Sequence, residues 1–144
     1  MSDCREIHVA ADLLQARRLR ADVRAAAAAL GGPEPACDAL ALVVDELFNN
    51  AIEHGASYRE KQLELVLRIS MADAHLQLDF FDPEMPKSQV IDLGRSMSAA
   101  ADGLPSLESE RGRGLFLISI YMVELRVDLA KSGGLHLHGR LAGG

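Results

Sequence analysis

Positive charge is scarce in this chain: 15 lysines and arginines stand against 21 aspartates and glutamates, a formal net charge of −6. That balance excludes a broad surface for nucleic acid or for an acidic membrane, although Arg17, Arg18, Arg20 and Arg24 form one local basic cluster. Cysteine is scarcer still. Cys4 and Cys37 are the only two and belong to no CxxC pair, so two free thiols are expected. No apolar run approaches the length of a membrane span, and the opening "MSDCREIHVAAD" lacks the apolar stretch a signal peptide requires. A cytoplasmic location is the expectation. The remainder has ordinary globular composition, 144 residues with 49% hydrophobic and 25% charged, which suits one domain over 1–144 with one core.

The hydrophobic period changes several times along the chain. "REIHVAA" (5–11) alternates as a short strand. Asp12 is a plausible N-cap for a first helix in which Leu13, Leu14, Ala16, Leu19, Val23, Ala27 and Leu30 face inward, with Gly31 as the stop. A second helix is expected over about 34–54, ending at Gly55. "LELVLRIS" and "HLQLDFFD" alternate around "MADA" as one hairpin, and "VELRVDLA" and "LHLHGRL" flank "KSGG" as another. Between the hairpins lies an interval of 83–111, poorly patterned apart from one short helix near 88–100, of the length expected for a lid or binding loop. "GRGLFLISIYMV" then leads into a last helix. The order predicts an α+β fold: a two-layer sandwich with a mixed, mostly antiparallel sheet and helices on one face.

The second helix carries "VVDELFNNAIEHG" (43–55). With Glu46 at zero and 100° per residue, Asn50 falls at about 40°, Glu53 at about −20° and His54 at about 80°, while Leu40, Val43, Val44, Leu47 and Ala51 occupy about 60° to 160°. The polar stripe therefore abuts the apolar face. Two readings fit it: a solvated helix side, or a ligand site. Asparagine lowers helix propensity, yet its side-chain carbonyl suits Mg²⁺, which takes few protein oxygens and completes its octahedron with water and phosphate. Glu46, one turn earlier, would then act as a base beside the ion. His54 either satisfies a backbone group at the helix end or meets the ligand.

Two further segments carry polar chemistry. Asp82 ends the strand "LDFFD" where the lid begins, as a turn cap or as an acceptor for an exocyclic amine. In "ERGRGLFL", Gly112 and Gly114 allow close backbone approach, amides at the start of the helix favour phosphate oxygens, and Arg111 and Arg113 add charged donors. "HLH" puts His136 and His138 on one strand face with no third ligand at a useful spacing, so no metal site is expected there.

Taken in order, "ELFNNAIEHG", "FFDPEMP" and "GRGLFLI" resemble the three nucleotide-binding boxes of the Bergerat-type (GHKL) fold, shared by gyrase, heat-shock chaperones, histidine kinases and mismatch-repair ATPases. With no phosphoacceptor helix pair ahead of the first box, the chain is most similar to the anti-sigma factor serine kinases of bacterial partner-switching systems. The resemblance spans about 5–141. It implies Glu46 as general base, Asn50 as Mg²⁺ ligand, Asp82 as the adenine contact, and Gly112, Arg113 and Gly114 as the phosphate cradle. Arg111 would stand at the lid's end near the γ-phosphate or substrate, and Glu53, His54 and Leu115 would complete the nucleotide-binding set. It also implies ATP and Mg²⁺ as cofactors, a sigma factor and a STAS-type anti-anti-sigma antagonist as partners, and a homodimer whose face includes Arg17, Arg18 and Arg20, with no direct contact to nucleic acid or membrane.

The middle box departs from the family pattern. "DPEMP" puts Glu84 and Pro86 where glycines would let the backbone bend beneath a nucleotide, and Glu84 adds charge of the wrong sign. Two rivals follow: a pseudokinase that only sequesters its partner, and a stand-alone histidine-kinase-like ATPase domain acting on a separate phosphoacceptor.

Overall fold

Five antiparallel strands lie in the order β1-β2-β3-β5-β4 beneath one layer of four helices, in a computed structural model that describes residues 4–101 and 110–142. The elements run β1 (Cys4–Val9), a 3₁₀ turn (Leu13–Gln15), α1 (Ala16–Ala29), α2 (Glu34–Gly55), β2 (Leu65–Ala72), β3 (His75–Asp82), α3 (Lys87–Ala101), α4 (Glu110–Tyr121), β4 (Met122–Leu129) and β5 (Leu135–Leu141). The two hairpins are β2–β3 and β4–β5, and β3 pairs with β5 at the centre of the sheet. Every neighbouring pair is antiparallel, so the sheet has no parallel component.

Alternation along the strands decides which face the helices cover. Leu65, Leu67 and Ile69 of β2, Leu76, Leu78 and Phe80 of β3, and Leu135, Leu137 and Leu141 of β5 are buried on that face. Asp82 continues the same period-two set, and so this strand-end carboxylate is wholly buried. The β2–β3 turn has positive φ at both Asp73 (52°) and Ala74 (65°), the arrangement that follows the twist of a two-residue hairpin. At the other hairpin Gly134 has φ +86°, and a Cβ there would lie 2.6 Å from Pro83 Cα, so the backbone of β5 passes directly against the turn after β3.

α2 is the central helix. It packs on α1, α4, β3 and β5, and its buried set of Ala36, Cys37, Leu40, Ala41, Val43, Val44, Leu47, Phe48 and Ala51 covers more of its circumference than the expected stripe. Burial pushes the Cys37 thiol up from its ordinary pKa, and both cysteines are free.

Two expectations change. Leu13 and Leu14 are 60% and 87% exposed, because Asp12 accepts the Leu14 amide at 3.0 Å and caps the 3₁₀ turn, which delays α1 until Ala16. Leu19, Val23 and Ala27 do face inward. The short helix expected near 88–100 is α3, whose Val90, Leu93 and Met97 enter the core; the stretch 102–109 of the expected lid lies outside the described residues. Finally, α4 begins at Glu110, so Gly112 and Gly114 lie within the helix and not in a loop before it.

Candidate functional site

Glu46 and Gly114, distant in sequence, are in contact: a Cβ on Gly114 would stand 2.5 Å from Glu46 Oε2. The backbone of Gly114 is helical, so glycine is needed here for space and not for its conformational range. Burial first, and then the charge of Asp45, hold the Glu46 carboxyl above its usual pKa. Asp45 itself is drawn away to Arg20 of α1, at 3.1 Å. The first turn of α4 lies just before Gly114, and its amides have no partner within the helix, a setting that favours an anion. The side chains of Arg111 and Arg113 lie outside the described residues.

One turn along α2 from Glu46, the Oδ1 of Asn50 is buried and has no hydrogen-bond partner among the described residues. A buried carbonyl oxygen normally finds a donor, and an orphaned one beside a carboxylate is what a site completed by a cation would leave. The donor set fits Mg²⁺, to which one neutral oxygen suffices when phosphate and water supply the rest. Glu53 is exposed and His54 is half-buried, with the His54 carbonyl accepting the Ser57 hydroxyl at 3.0 Å. The Leu115 side chain is in the core, so only its backbone is available to a ligand.

At the far end of α2 stands Asp82, already engaged. Its Oδ1 accepts from Arg59 Nη1 at 3.1 Å and from the Glu84 amide at 3.2 Å, and its Oδ2 accepts from Arg59 Nη2 at 2.7 Å and from the Tyr58 hydroxyl at 2.8 Å. Burial, followed by the bond to Asp82, raises the pKa of the Tyr58 hydroxyl well above its ordinary value. Burial opposes the charge of Arg59, but the bond and charge of Asp82 prevail and raise its pKa. Sequence reasoning passed over Tyr58 and Arg59. The available signal was the alternation of β3, which carries an acid into the core and so demands a buried cation.

Glu84 does not face the α2 groove. Its carboxylate accepts the Lys61 amide at 3.1 Å and the Leu63 amide at 2.6 Å, tying down the segment that follows α2. Of the expected partner face, Arg17 and Arg18 are exposed, while the Arg20 side chain, 42% exposed, is paired with Asp45. On the open face of the sheet, His136 and His138 both bond Asp79 Oδ1, at 2.7 and 2.8 Å. Among the described residues no group of three or more His, Cys, Asp or Glu side chains has the geometry to hold a metal ion, and no described helix is long and apolar enough to cross a membrane.

Glu46, which meets Gly114, and Asn50 lie on one side of α2, and Asp82 is joined to the end of the same helix through Arg59, which bonds the Ala51 carbonyl and lies across Gly55. At 1.5 Å per residue, Glu46 to Gly55 covers about 13 Å. Over residues 9–138 the sequence matches the family described as "Histidine kinase-like ATPase domain". No curated protein matches it. Among solved structures, a chain from the SiaB–SiaC complex of Pseudomonas aeruginosa is similar in fold, with a TM-score of 0.73 at 15% identity, covering 95% of this chain and 88% of that one.

Proposed function

Since the chain belongs to the histidine kinase-like ATPase domain family, and is thereby an ATP-binding domain, we propose that it is a partner-switching serine kinase and anti-sigma factor. In this reading it sequesters a sigma factor and uses Mg·ATP to phosphorylate a serine on a STAS-type antagonist. The observation that carries the reading is the orphaned Asn50 Oδ1, one turn from a carboxylate that touches the glycine of α4. The fold match to a chain from a two-protein complex supports action on a protein partner.

Bound Mg·ATP supplies the phosphoryl group and part of the charge neutralisation. The chain positions the reactants. Asn50 Oδ1 would ligate the cation, and the first-turn amides of α4 with Gly112, Arg113 and Gly114 would hold the phosphates. Glu46 receives the proton of the attacking serine hydroxyl, a task to which its raised pKa is suited, and Asp82 addresses the adenine amine. Arg111 is assigned to the end of the lid expected over 83–111, near the γ-phosphate or the substrate. Positioning and electrostatics account for most of what such a protein does in phosphoryl transfer. Arg17 and Arg18 are left for a second copy or a partner.

The test is calorimetry with ATP and ADP, with and without Mg²⁺, on wild type and Asn50→Ala. Mg²⁺-dependent binding is expected in the wild type and is largely lost in the variant; equal binding by both refutes the assignment of this side chain. One observation favours the pseudokinase alternative, namely that Asp82 is filled by Arg59 and Tyr58. Tight complex formation with the antagonist and no serine labelling from labelled ATP would establish that alternative. Acid-labile label on the partner would point instead to a stand-alone histidine-kinase-like ATPase.

A further inference from the structure

An ionised carboxylate presents about four lone-pair positions. Asp82 has all four filled, by two nitrogens of Arg59, the Tyr58 hydroxyl and the Glu84 amide. The Glu84 amide belongs to the turn after β3 and cannot leave without unmaking it, whereas Tyr58 and Arg59 are side chains of the segment after α2. Arg59 is only 9% exposed and Asp82 not at all. The guanidinium also reaches the Ala51 carbonyl at 3.2 Å and lies across Gly55, where a Cβ would stand 2.5 Å from Nη2. The glycine in α2 thus makes room for it. Glu84 clamps the same segment through the Lys61 and Leu63 amides. What replaces the usual glycines in "DPEMP" therefore holds this segment shut.

We propose that Arg59, backed by Tyr58 and the Glu84 clamp, is a latch on the base position: an adenine nucleotide binds fully only after the guanidinium has left Asp82. The proposal rests on the reading of Asp82 as the adenine contact. A neutral exocyclic amine offers weaker hydrogen bonds than a bidentate guanidinium, so the closed state is favoured until something else draws Arg59 away. Two features make release feasible. The Arg59 Nε–H is buried with no acceptor among the described residues, which weakens the closed arrangement. Arg59 also borders an open cleft of about 510 Å³ that is lined in part by Asp12, Ile52 and Gln62, which gives the guanidinium an exit. Apparent nucleotide affinity is then the intrinsic affinity reduced by the open fraction, and an open population of roughly 1 to 10% would weaken binding tenfold to a hundredfold.

Calorimetric titration of Mg·ATP into wild type, Arg59→Lys, Arg59→Met and Glu84→Gln tests this, after thermal melts establish which variants fold. Arg59→Lys retains a cation beside Asp82 while losing the bidentate fork, so it remains informative if Arg59→Met unfolds. Affinity at least tenfold tighter in the folded Arg59 variants is expected, with a smaller gain in Glu84→Gln. A measurement on unaltered protein accompanies it. The Arg59 Nε–Hε NMR signal, identified by its loss in Arg59→Lys, should be protected from exchange in the free protein and move to solvent-exposed behaviour at saturating Mg·ATP. Folded variants that bind no tighter than a binding-competent wild type, or an Arg59 signal unchanged by bound nucleotide, overturn the latch and leave the ATP site standing. No binding by wild type or any folded variant overturns both.

Discussion

Gly114→Ala separates space from function at the centre of the site. Two opposing terms set its effect on stability. Alanine replaces glycine at a helical backbone position, a gain of about 0.8 to 1 kcal/mol. Against this, the new methyl would stand 2.5 Å from Glu46 Oε2, well inside contact distance, and the carboxylate must retreat. The atom that yields is the far end of a flexible side chain, so the cost is that of an unfavourable rotamer, about 0.5 to 1.5 kcal/mol. The terms nearly cancel. In a chain of this size the melting temperature should move by no more than about 3 °C in either direction. Catalysis has no such compensation, because a base displaced by about 1 Å costs on the order of a hundredfold in rate. Calorimetric melts and single-turnover transfer of labelled phosphoryl to the serine acceptor are the two readouts. The expected result is near-native stability with transfer reduced about a hundredfold, and no further loss when Gly114→Ala is added to Glu46→Ala, since both act through one group. A melting temperature lowered by 10 °C or more would mean that the carboxylate is rigidly held, and native transfer would remove Glu46 from the mechanism.

Two more outcomes follow from particular contacts. The folded state holds the Glu46 proton more tightly than the unfolded chain does, so this group's contribution to stability falls as pH rises from the ordinary carboxylate range through its raised pKa. Glu46→Gln should therefore gain on wild type as pH rises from the ordinary carboxylate range in denaturant unfolding, while losing transfer, and a constant gap between the two proteins above that range would refute the linkage. Gly134→Ala combines positive φ with backbone overlap at Asp82 and Pro83, where nothing flexible can yield. A loss of about 2 to 5 kcal/mol is expected from the two effects together, and a variant within 1 kcal/mol of wild type would refute that packing.

Regular elements were readable where a single period governed the chain. The bounds of β3 and β5 match their alternating runs, and α2 ends at Gly55 as its glycine stop indicates. Legibility failed where local hydrogen bonds override periodicity. Asp12 spends its carboxylate on the Leu14 amide, so the helical phase that would bury Leu13 and Leu14 starts too late to include them. In the interval after β3, small and polar residues dilute the apolar positions, yet the helix expected near 88–100 is present as α3, seated by Val90, Leu93 and Met97. Glu46, Asn50 and Gly114 were singled out from spacing, and the fold does bring Glu46 and Gly114 together. Their contact depends on how α4 crosses α2, a tertiary fact that neither segment encodes alone.

The "DPEMP" turn shows how one alternation rule can alter a site. A carboxylate at the end of β3 falls on the buried side because Leu76, Leu78 and Phe80 do, and an ion buried there without a partner would be unsustainable. A nucleotide could supply donors only while bound. The free protein needs its own, and Arg59 with Tyr58 provides them. Glycines after Asp82 would leave that pair on an unsecured segment, whereas Glu84 fastens it through two backbone amides. The residues that follow Asp82 in "DPEMP" therefore stabilise the buried carboxylate together with the segment that partners it. If partner binding at the segment after α2 loosened the Glu84 clamp, it would raise nucleotide affinity by the same factor that nucleotide raises partner affinity.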